Sequence, residues 1–314
     1  MSETATVDRV ADWPSVTVVV PTRDRPDRLR EAVRSISLQD YPGRIECVVV
    51  FDRSEPLEIE PPDATHRAMR VIVNSRTPGP AGARNSGALE ASGALLAFCD
   101  DDDEWHPQKL RLQVDALRSA RDIGAVTCGV TVVYGQRSVH RIPPRDRILL
   151  HELIRSRSAE VHTSTILVDV DAYRERIGLL DESMPAGYGE DYEWLLRAAA
   201  WRPIWVVRRP LVRVHWHDAS WFDGRWDTII AAIERLIEKH PEIAEDRAGL
   251  SRLYGRIAFA HAAAGRRRQA WRWIDRTFRL DPRERRTYIA AFIALGLVSP
   301  QRVLDLAHRA GKGI

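Results

Sequence analysis

Ala94-Leu95-Leu96-Ala97-Phe98-Cys99 runs straight into Asp100-Asp101-Asp102-Asp103, then Glu104, Trp105 and Pro107, and then a helical-looking stretch from Gln108 to Leu117. The apolar hexapeptide has the length and composition of a buried strand. Four carboxylates at its end repel one another unless a cation offsets them. Hard oxygen donors gathered at one point suit Mg2+ or Mn2+, ions that commonly hold substrate phosphates as well. In open α/β sheets ligands bind beyond the carboxyl ends of the strands, where these acids stand. Capping the next helix accounts for one acid but not for four.

Working outward, Val16 to Val20 is a β-branched run between Pro14 and Pro21 and reads as a buried strand. Asp27 to Leu38 carries Leu29, Val33 and Ile36 at helical spacing after Pro26. Ile45 to Phe51 and Met69 to Val73 read as further strands, with a Pro- and acid-rich loop from Asp52 to Arg67 between them. Thr77 to Gly82 is a Pro/Gly turn, and Ala83 to Ser92 a helix of small residues. This alternation predicts a parallel α/β sheet.

Beyond residue 122 the pattern changes. Ala125 to Tyr134 reads as a long strand that Val139 to Ile142 can pair with, and Ile148 to Arg155 as a helix. Ser164 to Val168, Ile204 to Val207 and Leu211 to His215 read as short strands, and Glu190 to Trp201 as an amphipathic helix. From Trp226 onward everything is helical, with one tetratricopeptide-like hairpin spacing between Ile257 and Pro282. The expected organisation is a flexible lead over 1–14, an α/β domain over 15–225 with halves 15–122 and 123–225, and a helical extension over 226–314.

The chain has 314 residues, of which 44% are hydrophobic, enough for a sizeable core and against wholesale disorder. Tyr288 to Val298, the longest apolar candidate, falls far short of the roughly 20 residues of a membrane span. The polar start, Met1 to Asp12, lacks the apolar core of a signal peptide. Cys47, Cys99 and Cys128 fall in predicted strands without metal-ligand spacing, and read as reduced core residues of a cytoplasmic protein. The formal net charge of +3 conceals a segregation: in residues 251–314 thirteen arginines and Lys312 face four acids, a balance of +10, leaving −7 elsewhere. A basic tail on an acidic body suits an anionic partner such as a membrane surface, or is simply a solvated helical face. Its arginines are not interleaved with a base-reading motif, so no nucleic-acid partner is expected.

Five segments in order carry a resemblance: Val16-Thr17-Val18-Val19-Val20-Pro21-Thr22-Arg23-Asp24-Arg25, Val48-Val49-Val50-Phe51-Asp52, Gly82-Ala83-Arg84-Asn85-Ser86-Gly87, the acid run with Pro107, and Leu180-Asp181-Glu182 through Gly189-Glu190-Asp191-Tyr192-Glu193-Trp194. Together they resemble the family 2 glycosyltransferases over about residues 15–220. The resemblance implies a GT-A fold: a Rossmann-like, mixed and mostly parallel sheet flanked by helices. It also implies an inverting, hexosyltransferase-type enzyme of cell-envelope glycan assembly. Pro21, Thr22 and Arg23, with Arg25 on the same loop, match the segment that holds the nucleotide base and ribose. Asp52 matches the acid that accepts from uracil, with Arg53 standing where the family often has a second acid. Arg84 matches the donor-side arginine, and a guanidinium pairs bidentately with phosphate oxygens. Asp100 and Asp102 match the Asp-X-Asp motif, with Asp101 between them; the first acid meets the ribose and Asp102 the metal, Mn2+ or Mg2+. Asp191 matches the catalytic base. Arg213 and His215, followed by Ser220, match a late segment whose histidine completes the metal site or meets the diphosphate.

Glu190, Tyr188 and Trp216 are candidates for the acceptor side. Glu190-Asp191 could also merely open an amphipathic helix, where acids are favourable, although Pro185, Gly187 and Gly189 before them suggest a loop placed over substrate. His215 and His217 share a strand face, and either could be structural. The expected reaction moves a sugar from a nucleotide sugar, with uridine diphosphate as the expected carrier, to a hydroxyl of a glycan or lipid-linked acceptor. The expected location is cytoplasmic, with peripheral contact at the inner face of an anionic membrane through residues 251–314. Two alternatives stay open. One is a catalytically silent sugar-nucleotide-binding or scaffold protein acting through its helical tail. The other is a sugar-nucleotide-forming nucleotidyltransferase, which would want a Gly-rich phosphate loop where Pro21-Thr22-Arg23-Asp24-Arg25 stands.

Overall fold

The structure is a computed structural model that describes residues 13–59, 66–119, 122–156, 161–215 and 224–309. Most of the expected lead, and Trp216, His217 and Ser220, lie outside the described residues. Contacts divide the chain into two compact units. The first takes in the described residues of Met1–Leu149, Glu160–Glu182 and Glu193–Trp216; the second takes in those of Leu150–Ala159, Ser183–Tyr192 and His217–Ile314.

The first unit is built on one sheet. Val16–Thr22 (β1) is buried along its whole length, as a central parallel strand must be. It pairs in parallel with Ile45–Phe51 (β2) on one side and Leu95–Phe98 (β4) on the other, and Arg67–Val73 (β3) extends the sheet beyond β2. The far half holds Asp103–Trp105 (β5), Ala125–Tyr134 (β6), Arg137–Arg141 (β7), Arg147–Ile148 (β8), Leu167–Asp169 (β9) and Ile204–His215 (β10). The order is β3-β2-β1-β4-β9-β6-β10-β5, with β7 pairing β6 and β8 pairing β10. β9 is antiparallel to both β4 and β6, whereas β6 and β10 run parallel.

Helices follow the strands for local reasons. Pro26–Ser37 (α1) begins with a proline, whose missing N–H costs nothing there, and buries Leu29, Ala32, Val33 and Ile36 at helical spacing. Pro80–Leu89 (α2) is made of small residues because it lies close against its surroundings. A Cβ on Gly82 would sit 1.8 Å from the Thr77 carbonyl oxygen, and one on Gly87 2.4 Å from Val19 Cγ1. Lys109–Ser119 (α3) buries Leu110, Gln113 and Val114. Cys47, Cys99 and Cys128 are buried free thiols.

Besides β5, which was not expected, and the helix expected from Ile148, which begins at Leu150 after β8, three elements differ from expectation. The small-residue helix starts at Pro80 and ends at Leu89, because proline opens a helix as well as it closes a loop. The expected strand 164–168 is a 3-10 turn over Thr163–Thr165 followed by the short β9, since Ser164 and Thr165 are occupied with polar contacts. The two expected strands at 204–207 and 211–215 are one strand, β10, with register shifts between Val207 and Val212 around Pro210. Proline lacks the donor a regular ladder needs there, so the strand bulges rather than ends.

The second unit contains Leu150–Arg155 (α4), the first turn of Glu190–Trp201 (α5), and a run of helices: Trp226–Lys239 (α6), Pro241–Glu245 (α7), Arg247–Ala263 (α8), Arg267–Leu280 (α9), Arg285–Ala294 (α10) and Pro300–Arg309 (α11). Ala258, Phe259 and Ala262 of α8 pack with Ala270 and Ile274 of α9 and with Ala290, Ile293 and Ala294 of α10. No helix among the described residues is long and apolar enough to cross a membrane.

Candidate active site

The carboxyl ends of β1, β2 and β4 lie side by side, and their loops carry the polar residues. Asp52 N–H donates to the Thr22 carbonyl at 3.0 Å, tying the end of β2 to the end of β1. Each loop then turns through a left-handed non-glycine residue, Asp24 and Arg53, both at φ 54°. An arginine in that region is costly unless its surroundings hold it there. Asn74, just after β3, donates to Asp52 Oδ1 at 2.7 Å and accepts from Ser86 Oγ at 2.8 Å. The Asp52 carboxylate is thus oriented from below, with one oxygen already taken.

The acid run is shared out among different partners. Asp100 Oδ1 accepts from Arg84 Nη2 at 2.6 Å, and Arg84 is buried. Asp101 accepts from Thr22 Oγ1 at 2.8 Å and from Arg25 Nη1 at 3.3 Å. Asp102 Oδ2 lies 2.7 Å from the same Arg25 nitrogen. Asp103 turns inward and is 1% exposed; it accepts from Ser164 Oγ, which in turn accepts from Asp100 N–H at 3.0 Å. His162 Nδ1 lies 3.3 Å from Asp103 Oδ2, and its Nε2 lies 3.9 Å from Asp100 Oδ2.

These placements set the proton affinities. Burial works to raise Asp100, but Arg84 and His162 hold it below the usual carboxylate range. Burial dominates at Asp103 and lifts it against His162 and Ser164. Asp101 is pushed up to about 6, by burial first and by the neighbouring Asp102 and Asp100, with Thr22 and Arg25 pulling the other way.

One oxygen each from Asp100 and Asp103 and one nitrogen from His162 lie within 4.8 Å of one another. Two hard oxygens and an imidazole suit Mn2+ and fit a divalent cation on chemistry. Neither Asp102 nor His215 belongs to this cluster. His215 Nε2 instead lies 3.0 Å from Glu104 Oε1, across the antiparallel pairing of β10 with β5. His162 and Ser164 were not foreseen, and their signal was a polar run, His162-Thr163-Ser164-Thr165, directly before the apolar stretch Ile166-Leu167-Val168.

A second polar knot lies beside α2. Asn85 donates to the Leu180 carbonyl at 2.9 Å and to Glu182 Oε1 at 2.7 Å, and accepts from Tyr173 Oη at 2.8 Å. Glu182 also accepts from Arg76 Nε and from Thr77 N–H at 3.2 Å. Burial would raise this carboxyl, but the hydrogen bonds from Asn85, Arg76 and Thr77 overrule it and bring it down to about 2. Glu193, farther along, is fully buried against Arg197, which also donates to the carbonyls of Gly178 and Leu179.

Glu190, Asp191 and Tyr188 belong to the second unit. Glu190 is 7% exposed, and Asp191 Oδ1 accepts from Tyr192 N–H at 2.7 Å at the start of α5. The chain around Tyr188 turns through Ala186, Gly187 and Gly189, all at positive φ. Tyr188 Oη accepts from Arg256 of α8, and Tyr192 Oη donates to the Leu153 carbonyl at 2.7 Å and accepts from Arg252 at 2.7 Å.

The fold and the shared-out acids define an α/β sheet with an acid-rich polar site at the carboxyl ends of its strands. A family model described as Glycosyl transferase family 2 matches residues 17–174, half of the chain, and the chain belongs to that family. An uncharacterized glycosyltransferase of Rickettsia typhi is 25% identical over 221 residues, covering 66% of this chain and 65% of that protein, so the chain spans just under two thirds of that relative. The Escherichia coli protein named UDP-Glc:alpha-D-GlcNAc-diphosphoundecaprenol beta-1,3-glucosyltransferase WfgD is 23% identical over 181 residues, 57% of this chain and 68% of its own. Among solved structures, S. aureus TarS in complex with UDP-GlcNAc superposes with a TM-score of 0.57 at 14% identity, covering 95% of this chain and 92% of that one. The mannosyltransferase PcManGT from Pyrobaculum calidifontis, in complex with GDP-Man and Mn2+, gives 0.52 at 19% identity over 93% and 83%. The mostly parallel sheet with flanking helices and a helical C-terminal region is the GT-A fold of these neighbours.

Proposed function

We propose that this protein transfers a sugar from a uridine diphosphate sugar to a hydroxyl acceptor, in one displacement that inverts the anomeric carbon. The carrying observation is the β4 end, where Arg84 and Arg25 lie within 2.6–3.3 Å of three consecutive aspartates. That arrangement suits a ligand with negative diphosphate and positive cation together. Pro21, Thr22, Arg23 and Asp52 form the base and ribose side, and Arg84 faces the phosphates. Asp102 is assigned to the cation by its motif, with Asp100, Asp103 and His162 as the donor set favoured by proximity. A bound Mn2+ or Mg2+ supplies positive charge to the departing diphosphate. Asp191 takes the proton of the attacking hydroxyl onto its carboxylate, on the ring face opposite the leaving group. Residues 15–225 constitute the catalytic part and 226–314 a helical extension. The names of the relatives support an acceptor that is a lipid-linked sugar, WfgD acting on a diphosphoundecaprenol-linked one. Such a substrate places the enzyme at the inner membrane face.

The test is calorimetric titration with uridine and guanosine diphosphates, with Mn2+ and with chelator, followed by transfer assays with the matching sugar nucleotides. Uridine diphosphate should bind tighter than guanosine diphosphate, and more tightly with the metal than with chelator. Tighter binding of guanosine diphosphate would overturn the base assignment. Transfer to the acceptor by an Asp191→Asn protein at the wild-type rate would overturn the mechanism.

A further inference from the structure

Among the described residues fourteen large apolar side chains are exposed, and seven of them lie between Trp271 and Leu306. Such clustering marks a contact surface, whereas scattered exposure does not. The spacing is ordered. Trp271 and Phe278 stand two turns apart on α9, and Tyr288, Phe292 and Leu295 recur at four and seven residues along α10. The neighbouring face of α9, with Ala270, Ile274 and Thr277, and the opposite face of α10, with Ala290, Ile293 and Ala294, are buried within this unit. A turn at Gly296, φ 77°, leaves Leu295 and Leu297 at 57% and 66% exposure, and a Cβ there would lie 3.6 Å from Arg267 Nη2. The leucine corner therefore adjoins the start of α9.

Cations surround these residues. Arg266 pairs with Asp227, Arg279 with Asp275 and Arg286 with Glu284. Arg267, Arg268, Arg272 and Arg285 are exposed and form no ion pair among the described residues. A second copy laid on this face would set guanidinium against guanidinium. A nucleic acid would satisfy the cations but not Leu295, Leu297 and Leu306. An anionic bilayer satisfies both, with phosphates meeting the arginines and the acyl boundary receiving the aromatic and leucine side chains.

We propose that the face of α9 and α10 carrying Trp271, Phe278, Tyr288, Phe292, Leu295 and Leu297 is a docking surface for an anionic phospholipid bilayer. The proposal deepens the membrane-side acceptor reading above and rests on it for its setting, while its physics rests on the second unit alone. The test is co-sedimentation of the full chain with phosphatidylcholine vesicles and with phosphatidylglycerol-containing vesicles, at low and high salt. The chain should sediment with the anionic vesicles only and be released by salt. Arg267→Glu with Arg268→Glu should weaken partitioning by about tenfold or more, since each basic residue contributes on the order of 1 kcal/mol. Trp271→Ser with Leu297→Ser should weaken it at both salt concentrations. Should the charge-reversed protein fail to fold by circular dichroism, Arg267→Gln with Arg268→Gln carries the same comparison. Equal binding to neutral vesicles, no binding to either, or a concentration-dependent dimer abolished by the same substitutions overturns the proposal. Uridine diphosphate binding is measured on the same samples. Vesicle binding without nucleotide binding would sink the catalytic reading alone, and nucleotide binding without vesicle binding would sink the docking surface alone.

Discussion

Asp102 and His162 make rival claims on one cation, and single substitutions separate them. Asp102→Ala should abolish the Mn2+-dependent part of uridine diphosphate binding while sparing what remains in chelator. His162→Ala should lower Mn2+ affinity more modestly, by about 10–100-fold if it acts as a ligand or orients one. The reverse order of effect would move the metal from the motif residue to the cluster of Asp100, Asp103 and His162. At Asp191 the expected result is a split: Asp191→Asn keeps shape but cannot take a proton, so turnover should fall by about 10² or more with donor affinity nearly unchanged. Near-normal turnover would point to another base, with Glu190 the first to test. Thr22, Asp52 and the acid run stood out in the sequence as polar residues set abruptly at the ends of apolar strands, whereas Arg84, inside α2, was singled out only by the family resemblance. His162 and Ser164 were not, because they lie some 60 residues from the aspartates they touch, and one sequence carries no signal for that pairing.

At the scale of elements, the small-residue helix α2 is defined by what it cannot contain. Gly82→Ala would set a methyl group 1.8 Å from the Thr77 oxygen, which is backbone and cannot swing aside. A loss of roughly 1–3 kcal/mol or more is expected, read as a lower urea midpoint at unchanged slope. A midpoint equal to wild type would mean that the Thr77 turn yields freely. The knot around Glu182 has a pH signature. Its carboxyl is depressed from 4.5 to about 2 in the fold, so its stabilisation is fully present above pH 4.5 and is lost as pH falls toward 2. Glu182→Gln should therefore destabilise by a constant amount above that range, with the gap to wild type closing below it, as urea midpoints at a series of pH values will reveal. A gap independent of pH would assign the knot to packing. Element types were legible wherever the apolar period was long, as for β1, β2, β6 and α5. They were lost where polar contacts overrode it, at Thr163–Thr165, or where the pairing was too brief to leave a pattern, at β5.

Over the whole molecule, ligand linkage gives a measure that needs no mutant. Uridine diphosphate with Mn2+ at a hundred times its dissociation constant should add about 2.7 kcal/mol to the stability of the nucleotide-binding unit. A thermal scan without any upward shift would count against the site as a whole. The coarse plan, a mostly parallel sheet followed by helices, was legible from the alternation of periods. The discontinuity of the first unit was not, since nothing local announces that the segment after residue 193 returns to the sheet begun at residue 16. That return has a consequence for synthesis. β6 is complete at Tyr134, yet its parallel neighbour β10 begins only at Ile204, some seventy residues later. At about 5–20 residues per second, a nascent chain waits roughly 4–14 s with one flank of a buried, valine-rich strand unpaired. Such an open flank is a template for other chains. A protein ending after Pro203 should aggregate on release from the ribosome, where the full chain stays monomeric by light scattering. A soluble, monomeric truncation would show that the near half of the sheet shields that edge by itself.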